Sequence, residues 1–366
     1  LVNIVHTYEN DNDYIVSFLA KINSKNPNKV NLLTLQAEYS NKQQRQQIIQ
    51  NVPPITRAIL EYLPADGPIS VLDGGATQSE IEDQFSGWPS EHWTAVGFDP
   101  HPGADLSVDR SENVRMIRTA LGASRGTLRL YHTAVDGASS IFSPNIEYLK
   151  HLLHGAETPL TDVMSVIGES EVDAIDLDTW RREAQVPPFD FIKLNVQGAE
   201  LEVLQGASET VESCLGLQTE VSFAPMYLNA PVFREIDAHL DRLGFTFFDM
   251  RKPTTNGRAA SRPTVFSGSR VGLFRWPSRQ MTEAHVLYLR DPFRPEERAS
   301  PRWQDPQSWM RVAVVAELNG QVDFAMQLCE TVLARFSDML ADGGDALSRD
   351  LDAASRSYQK FDQSNR

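Results

Sequence analysis

A chain of 366 residues, 41% apolar and 23% charged, is long enough for more than one minimal domain and for a sizeable buried core. Its net charge of −15, from 34 basic and 49 acidic residues, argues against the broad basic face that binding to nucleic acid or to an anionic membrane demands. The two cysteines, Cys214 and Cys329, lie far apart in apolar contexts, which fits buried thiols in a reducing compartment and not a disulfide framework or a zinc site. With no apolar run near the ~20 residues that span a bilayer, and no signal-peptide pattern, the cytoplasm is the expected location.

In chain order, residues 1–48 are polar, with a Gln-rich run from Asn41 that favours an exposed helix, and their role is opaque. Pro53-Pro54 suits the first turn of a helix through Thr56–Leu63. From Ile69 to Asp291 short apolar runs alternate with helical patterns. The runs are Ile69–Leu72, Trp93–Phe98, Val114–Ile117, Phe189–Leu194, Leu215–Val221, Phe245–Phe248 and Val286–Leu289. Between them lie amphipathic helices such as Val232–Leu243, stopped by Gly244. This alternation predicts an α/β fold, a mostly parallel twisted sheet with helices on both faces. Segments 127–131 and 138–142 interrupt it as an inserted hairpin or cap. Residues 253–285, rich in Pro and Gly, are expected as a long loop. Within 251–279, Arg251, Lys252, Arg258, Arg262, Arg270, Arg275 and Arg279 form a basic stretch, read as solvated surface. Past Trp303 the pattern is helical: a C-terminal extension over 300–366 whose segment Ala313–Gly320 followed by Ala325, Leu328 and Val332 suits either one tetratricopeptide-like hairpin, a surface for a protein partner, or a plain buttress. The last ~20 residues are expected to fray.

Two half-sites carry chemistry. In the first, the strand Ile69–Leu72 ends on Asp73 and a small-residue turn, Gly74-Gly75-Ala76, then leads into a helix over Ser79–Phe85. Small residues let a ligand approach the backbone, and the crevice beyond the carboxyl ends of strands is where α/β sheets bind ligands. The pyrophosphate fingerprint G-x-G-x-x-G is absent, and an acid before the turn repels a diphosphate. It suits instead a cofactor with a cationic amino group, such as S-adenosyl-L-methionine (SAM). Asp99, at the end of the next strand in Val96-Gly-Phe-Asp99-Pro100-His101, can accept from ribose hydroxyls. The competing reading makes both aspartates turn residues that cap helices. In the second half-site, Asp190-Phe-Ile-Lys193-Leu-Asn195-Val-Gln197-Gly198-Ala-Glu200, polar side chains alternate on a strand otherwise apolar. Such groups need partners or a function.

This second string, continued through Gly206-Ala207, closely resembles the signature of FkbM-type methyltransferases, D-F-I-K-x-D-x-E-G-x-E-x-x-x-L-x-G-A. The resemblance runs over residues 55–291, within a domain drawn at 49–292. It takes in the Val-Leu-Asp-Gly-Gly-Ala turn, Thr119–Gly122, Gly126–Tyr131, Gly137-Ala-Ser139-Ser140-Ile, Ile175-Asp-Leu-Asp178-Thr-Trp180, Gln218-Thr-Glu220-Val and Val286–Arg290. It implies a class I Rossmann-like methyltransferase fold, SAM as cofactor and O-methylation of a small-molecule or glycan hydroxyl. It also places Pro100, Ala120, Ser139, Asn195 and Gln197 beside Asp73, Gly74, Gly75, Ala76 and Asp99 around that cofactor. The chain departs from the pattern at Ser79 (commonly glycine), and at Asn195 (usually aspartate) and Gln197 (often glutamate), where the loss of two carboxylates removes negative charge near the expected sulfonium. A SAM-binding pseudoenzyme with a helical interaction module is therefore the alternative. A dehydrogenase is disfavoured by the missing phosphate loop. A hydroxyl acceptor calls for a general base, and the candidates near strand ends are Glu200, Glu220, His132 and His101, with Glu200 favoured. Lys193 is expected to neutralise a buried acid. No metal constellation is visible: His151 and His154 lack an acidic partner at ligand spacing.

Overall fold

The structure is a computed structural model that describes residues 52–63, 67–76, 85, 88–100, 113–154, 158–259, 279–340 and 344–364. Readings at 1–48, at Ser79 and its helix, at His101, and at Arg262, Arg270 and Arg275 lie outside these residues. The chain divides into two compact units. One comprises 1–52 with 87–89, of which only Val52, Trp88 and Pro89 are described. The other, 53–86 with 90–366, holds every described strand and helix.

The elements in chain order are α1 (Pro54–Ile59), β1 (Ile69–Gly74), β2 (Trp93–Phe98), β3 (Val114–Ile117), β4 (Ala120–Leu121), β5 (Gly126–Thr133), α2 (Ile146–Leu149), β6 (Leu152–His154), β7 (Thr158–Pro159), α3 (Leu160–Val163) and β8 (Val166–Ile175). Then come α4 (Leu177–Ala184), β9 (Phe191–Leu194), α5 (Glu200–Gln205), α6 (Ser208–Ser213), β10 (Gly216–Ser222), α7 (Phe233–Arg242), β11 (Phe245–Arg258) and β12 (Gln280–Arg290). The chain closes with α8 (Pro306–Leu318), α9 (Val322–Phe336) and α10 (Asp345–Ser364).

The large sheet has the order β3-β2-β1-β9-β10-β12-β11-β6-β7. Its first five strands are parallel, β12 and β6 run against them, and β11 and β7, each antiparallel to a reversed neighbour, share the direction of the first five. Both ends of the segment 253–285, expected as a loop, are strand: β11 runs on to Arg258 and β12 starts at Gln280, while residues 260–278 lie outside the described ones. The expected hairpin of 127–131 with 138–142 is a single bridge, Tyr131 to Ser140. The true partner of β5 is β8, in a separate sheet of order β4-β8-β5.

Leu72, Ile192, Leu217 and Tyr288 stand in register on one face of the large sheet, in one apolar core with Trp180, Leu204, Val211 and Leu240 from α4 to α7. The C-terminal helices cover the other face. A β-carbon on Gly216 would lie 2.6 Å from Val315 Cγ1, so glycine lets α8 press onto β10. Arg311 of α8 donates to both carboxylate oxygens of Asp190 (2.7 and 2.5 Å) and to the carbonyls of Gly67 and Pro68. Asp190, which opens the signature string, thereby ties β9 to α8 and to the Ser70 N–H of β1.

The extension packs on the sheet through α8, whose partner in a helical hairpin is α9. Its last helix is regular over Asp345–Ser364, not frayed, because Leu347, Leu351 and Ala354 recur at helical spacing and are buried. The start of α1 has no side-chain cap of its own. Glu317, near the end of α8, supplies it from 262 positions away, accepting from Ile55 N (2.7 Å), Thr56 N (2.5 Å), Thr56 Oγ1 (2.5 Å) and the Tyr358 hydroxyl (2.5 Å). A carboxylate at the positive end of a helix dipole satisfies donors that would otherwise be orphaned. Glu317→Gln replaces one acceptor oxygen by a donor facing donors and is expected to cost about 2 kcal/mol, read as a lower urea midpoint. An unchanged midpoint would remove Glu317 as the remote cap.

Candidate functional site

The parallel strands end together, and beyond them lies a cavity of about 520 Å³, within the range usual for small-molecule sites. Its floor is the turn after β1 (Gly75), the end of β2 (Phe98, Asp99, Pro100) and the turn after β9 (Asn195 to Gln197). Ala120 and Leu121 of β4 form one wall, and the strap after β5, with Asp136, Gly137, Ser139 and Ser140, forms another. Asp99 is buried, whereas Asp136 is exposed on its strap. No Lys or Arg occurs among the described lining residues.

Of the residues read as cofactor-binding, the structure brings Gly75, Asp99, Pro100, Ala120, Ser139, Asn195 and Gln197 to this cavity. Asp73, Gly74 and Ala76 are not in its lining. The Asp73 carboxylate is buried in β1 and accepts from Lys193 Nζ at 2.7 Å. Register explains the pairing: Asp73 and Lys193 are direct neighbours on adjacent parallel strands. The acid read as a partner for a cationic cofactor group thus has a cation of its own, and Lys193 has the buried acid its sequence context called for. Asp136, an acid next to the glycine of Gly137-Ala-Ser139-Ser140, escaped the sequence reading.

Gly75 has φ +83°, and a β-carbon there would lie 2.0 Å from the Asn195 carbonyl oxygen. Its bareness serves the closeness of two backbones, with Asn195 N donating to Gly74 O at 2.9 Å. Other signature positions also have structural partners. Asp178 accepts from Glu209 N, Thr210 N and Thr210 Oγ1 and so caps α6. Asp176 caps α4 through Thr179 N.

Of the four catalytic candidates, His101 lies outside the described residues and the other three have different surroundings. His132 lies on β5 with Nε2 2.8 Å from Ser170 Oγ on β8, outside the cavity lining. Glu200 is buried in the first turn of α5, and its Oε1 accepts from Val196 N at 2.9 Å, closing the turn that carries Gln197. Burial pushes its carboxyl up to about 7, with backbone hydrogen bonds opposing. A carboxyl that titrates higher folded than unfolded binds more protons in the fold, so stability falls as pH rises from 4.5 to about 7. Above that window the penalty is about 3 kcal/mol. Glu200→Gln is expected to gain in urea midpoint over the native chain between pH 5 and pH 8. Parallel midpoints would show that Glu200 does not titrate in this window.

Glu220, on β10, is half-buried, and Gln197 Nε2 donates to its Oε2 at 2.8 Å. His285, its cross-strand neighbour on β12, places Nε2 3.8 Å from Oε1. Burial, followed by the charges of Glu283 and Glu200, holds the Glu220 carboxyl well above the usual carboxylate range, against the pull of Lys193. His285 was not singled out in the sequence, since only the antiparallel register of β12 brings it to Glu220. Among the described residues no group of three or more His, Cys, Asp or Glu side chains is placed to hold a metal ion. Nor is any described helix long and apolar enough to cross a membrane.

Residues 73–247 match the family model of the methyltransferase FkbM domain, the family the signature string resembles. The match starts inside β1 and ends inside β11, so β12 and α8 to α10 lie beyond it. No curated protein matches the chain.

Proposed function

Starting from a chain that carries a methyltransferase domain of the FkbM family, we propose that it uses SAM to methylate a hydroxyl of a glycan or another hydroxylated metabolite. The observation that carries this reading is the cavity at the strand ends, lined by two carboxylates and, among its described residues, by no Lys or Arg. Such a lining disfavours a diphosphate and accepts hydrogen bonds from ribose hydroxyls and from amino groups. The strand order, with the reversed β12 inserted between β10 and β11, also supports a class I methyltransferase sheet.

In this reading Asp99 would accept from the ribose, Asp136 on the strap would accept from an amino group, and the apolar Phe98, Leu121 and Leu130 would pack against the adenine. SAM, when bound, supplies an already activated methyl group, so positioning accounts for most of the catalysis. The acceptor proton would go to Glu220 as general base, since it is half-buried and one hydrogen bond from the cavity-lining Gln197. Glu200, closed onto Val196 N, instead shapes the turn.

Calorimetry with S-adenosylhomocysteine (SAH), SAM and NAD tests the cofactor, with SAH expected to bind and NAD not. An absence of heat at millimolar SAH would overturn the reading. Asn195 and Gln197, amides where the family has acids, keep a second reading in view. Tight SAH binding with no transfer of labelled methyl to a panel of sugars would assign a SAM-binding pseudoenzyme.

A further inference from the structure

The turn after β9 carries a residue to which the proposed catalysis gives no role of its own. Gln197 has φ +54°, a left-handed conformation rare outside glycine, and Gly198 comes next at φ +95°. Such strain persists where the surroundings over-determine it, and here every polar atom of Gln197's side chain is engaged. Nε2 donates to Asn195 Oδ1 (2.9 Å) and to Glu220 Oε2 (2.8 Å). Oε1 accepts from the Tyr227 hydroxyl (3.2 Å), whose single proton is shared with the Ala138 carbonyl (2.9 Å) on the strap. The backbone carbonyl of Gln197 accepts from Ser140 Oγ at 2.5 Å, again from the strap. One residue of the cavity lining is therefore tied both to the cavity wall and to the carboxylate on β10.

We propose that Gln197 is the positioning residue of Glu220, holding its carboxylate in one orientation and coupling it to the strap of the cofactor cavity. The inference rests on the reading of Glu220 as the base. It also explains why an amide suits this chain. A glutamate at 197 would bring a second carboxylate to hydrogen-bonding distance of Glu220, and two like charges so placed cannot both ionise. The other groups around Glu220 are Glu200 on α5, Lys193 on β9, and Glu283 and His285 on β12. Glu200 and Glu283 already disfavour ionisation, and the Gln197 donor and Lys193 favour it.

The decisive measurement is the titration of Glu220 in the full chain without ligand, by NMR of side-chain carboxyl-labelled glutamate, with Glu220→Gln to assign the signal. Gln197→Leu is expected to move the titration to higher pH by about one unit, the scale of one charge-assisted hydrogen bond. Gln197→Glu is expected to move it further. Tyr227→Phe, which keeps both Nε2 donations but frees Oε1, is expected to give a smaller shift in the same direction. A purely structural role would lower the urea midpoint and leave this titration in place. An unshifted titration in Gln197→Leu overturns the proposal; if that variant does not fold, an unshifted Tyr227→Phe does so. Failure of SAH to bind would sink the cofactor reading alone, and full methyl transfer by Glu220→Gln would sink the base alone. Neither alters what the titration decides about Gln197.

Discussion

Gly75→Ala is expected to destabilise the fold by about 3 kcal/mol or more and to weaken SAH binding at least tenfold. An alanine there must hold φ near +83°, where L side chains are strained, and its methyl would lie 2.0 Å from Asn195 O. The obstacle is backbone and cannot rotate away. Relief requires β1 and β9 to part where Asn195 N bonds Gly74 O, which also parts two segments of the cavity floor. Gly137→Ala is the control: it lines the same cavity, yet nothing lies within 4 Å of an added β-carbon. Urea midpoints and calorimetry on both variants decide the point. If Gly75→Ala matches Gly137→Ala in both measurements, the close approach at Asn195 is not what this glycine serves.

Glu220→Gln is expected to slow methyl transfer by about 10²–10⁴-fold, the range of a general base, while SAH affinity stays within about threefold. The amide keeps the size of the side chain and one acceptor oxygen for Gln197 Nε2, and loses the charge and the capacity to take a proton. Because burial and neighbouring acids raise the Glu220 carboxyl, it is protonated at pH values where an ordinary glutamate is ionised. The native rate should therefore climb with pH through that raised value, and the Gln variant should lose this limb. Glu200→Gln, by contrast, should alter stability more than rate. A Glu220→Gln variant that transfers methyl at the native rate would return the base assignment to the remaining candidates.

The core strands β1, β2 and β9 were legible because they are buried almost throughout and read as largely apolar runs, whereas β10 is buried on one face only, with Gln218, Glu220 and Ser222 on the other. The strand β8 was not, since most of its length is exposed and carries Glu169, Glu171 and Asp173. Only alternation with Ser170, Val172 and Ala174 marks it, a weak period-two signal. At the site, the floor of the cavity was readable from strand ends, whereas the strap residue Asp136 has no periodic context. Asp73 shows the physical limit most clearly. A buried acid announces that it needs a cation, but the sheet order that sets β9 beside β1 decides that the cation is Lys193 and not a ligand. The Gln197, Glu220, Tyr227 and His285 cluster likewise exists only after strand order is known.

The remote cap of α1 by Glu317 has a consequence for how the chain is made. Ile55 and Glu317 are 262 positions apart, so the donors at the head of this helix stay unpaired until α8 has left the ribosome. The sheet between them is itself assembled from non-local parallel pairings, which form slowly. Native closure is then a late, largely post-translational event. A gene trimmed to the family match, ending at residue 247, would yield a nascent chain with its sheet face uncovered and no means of finishing.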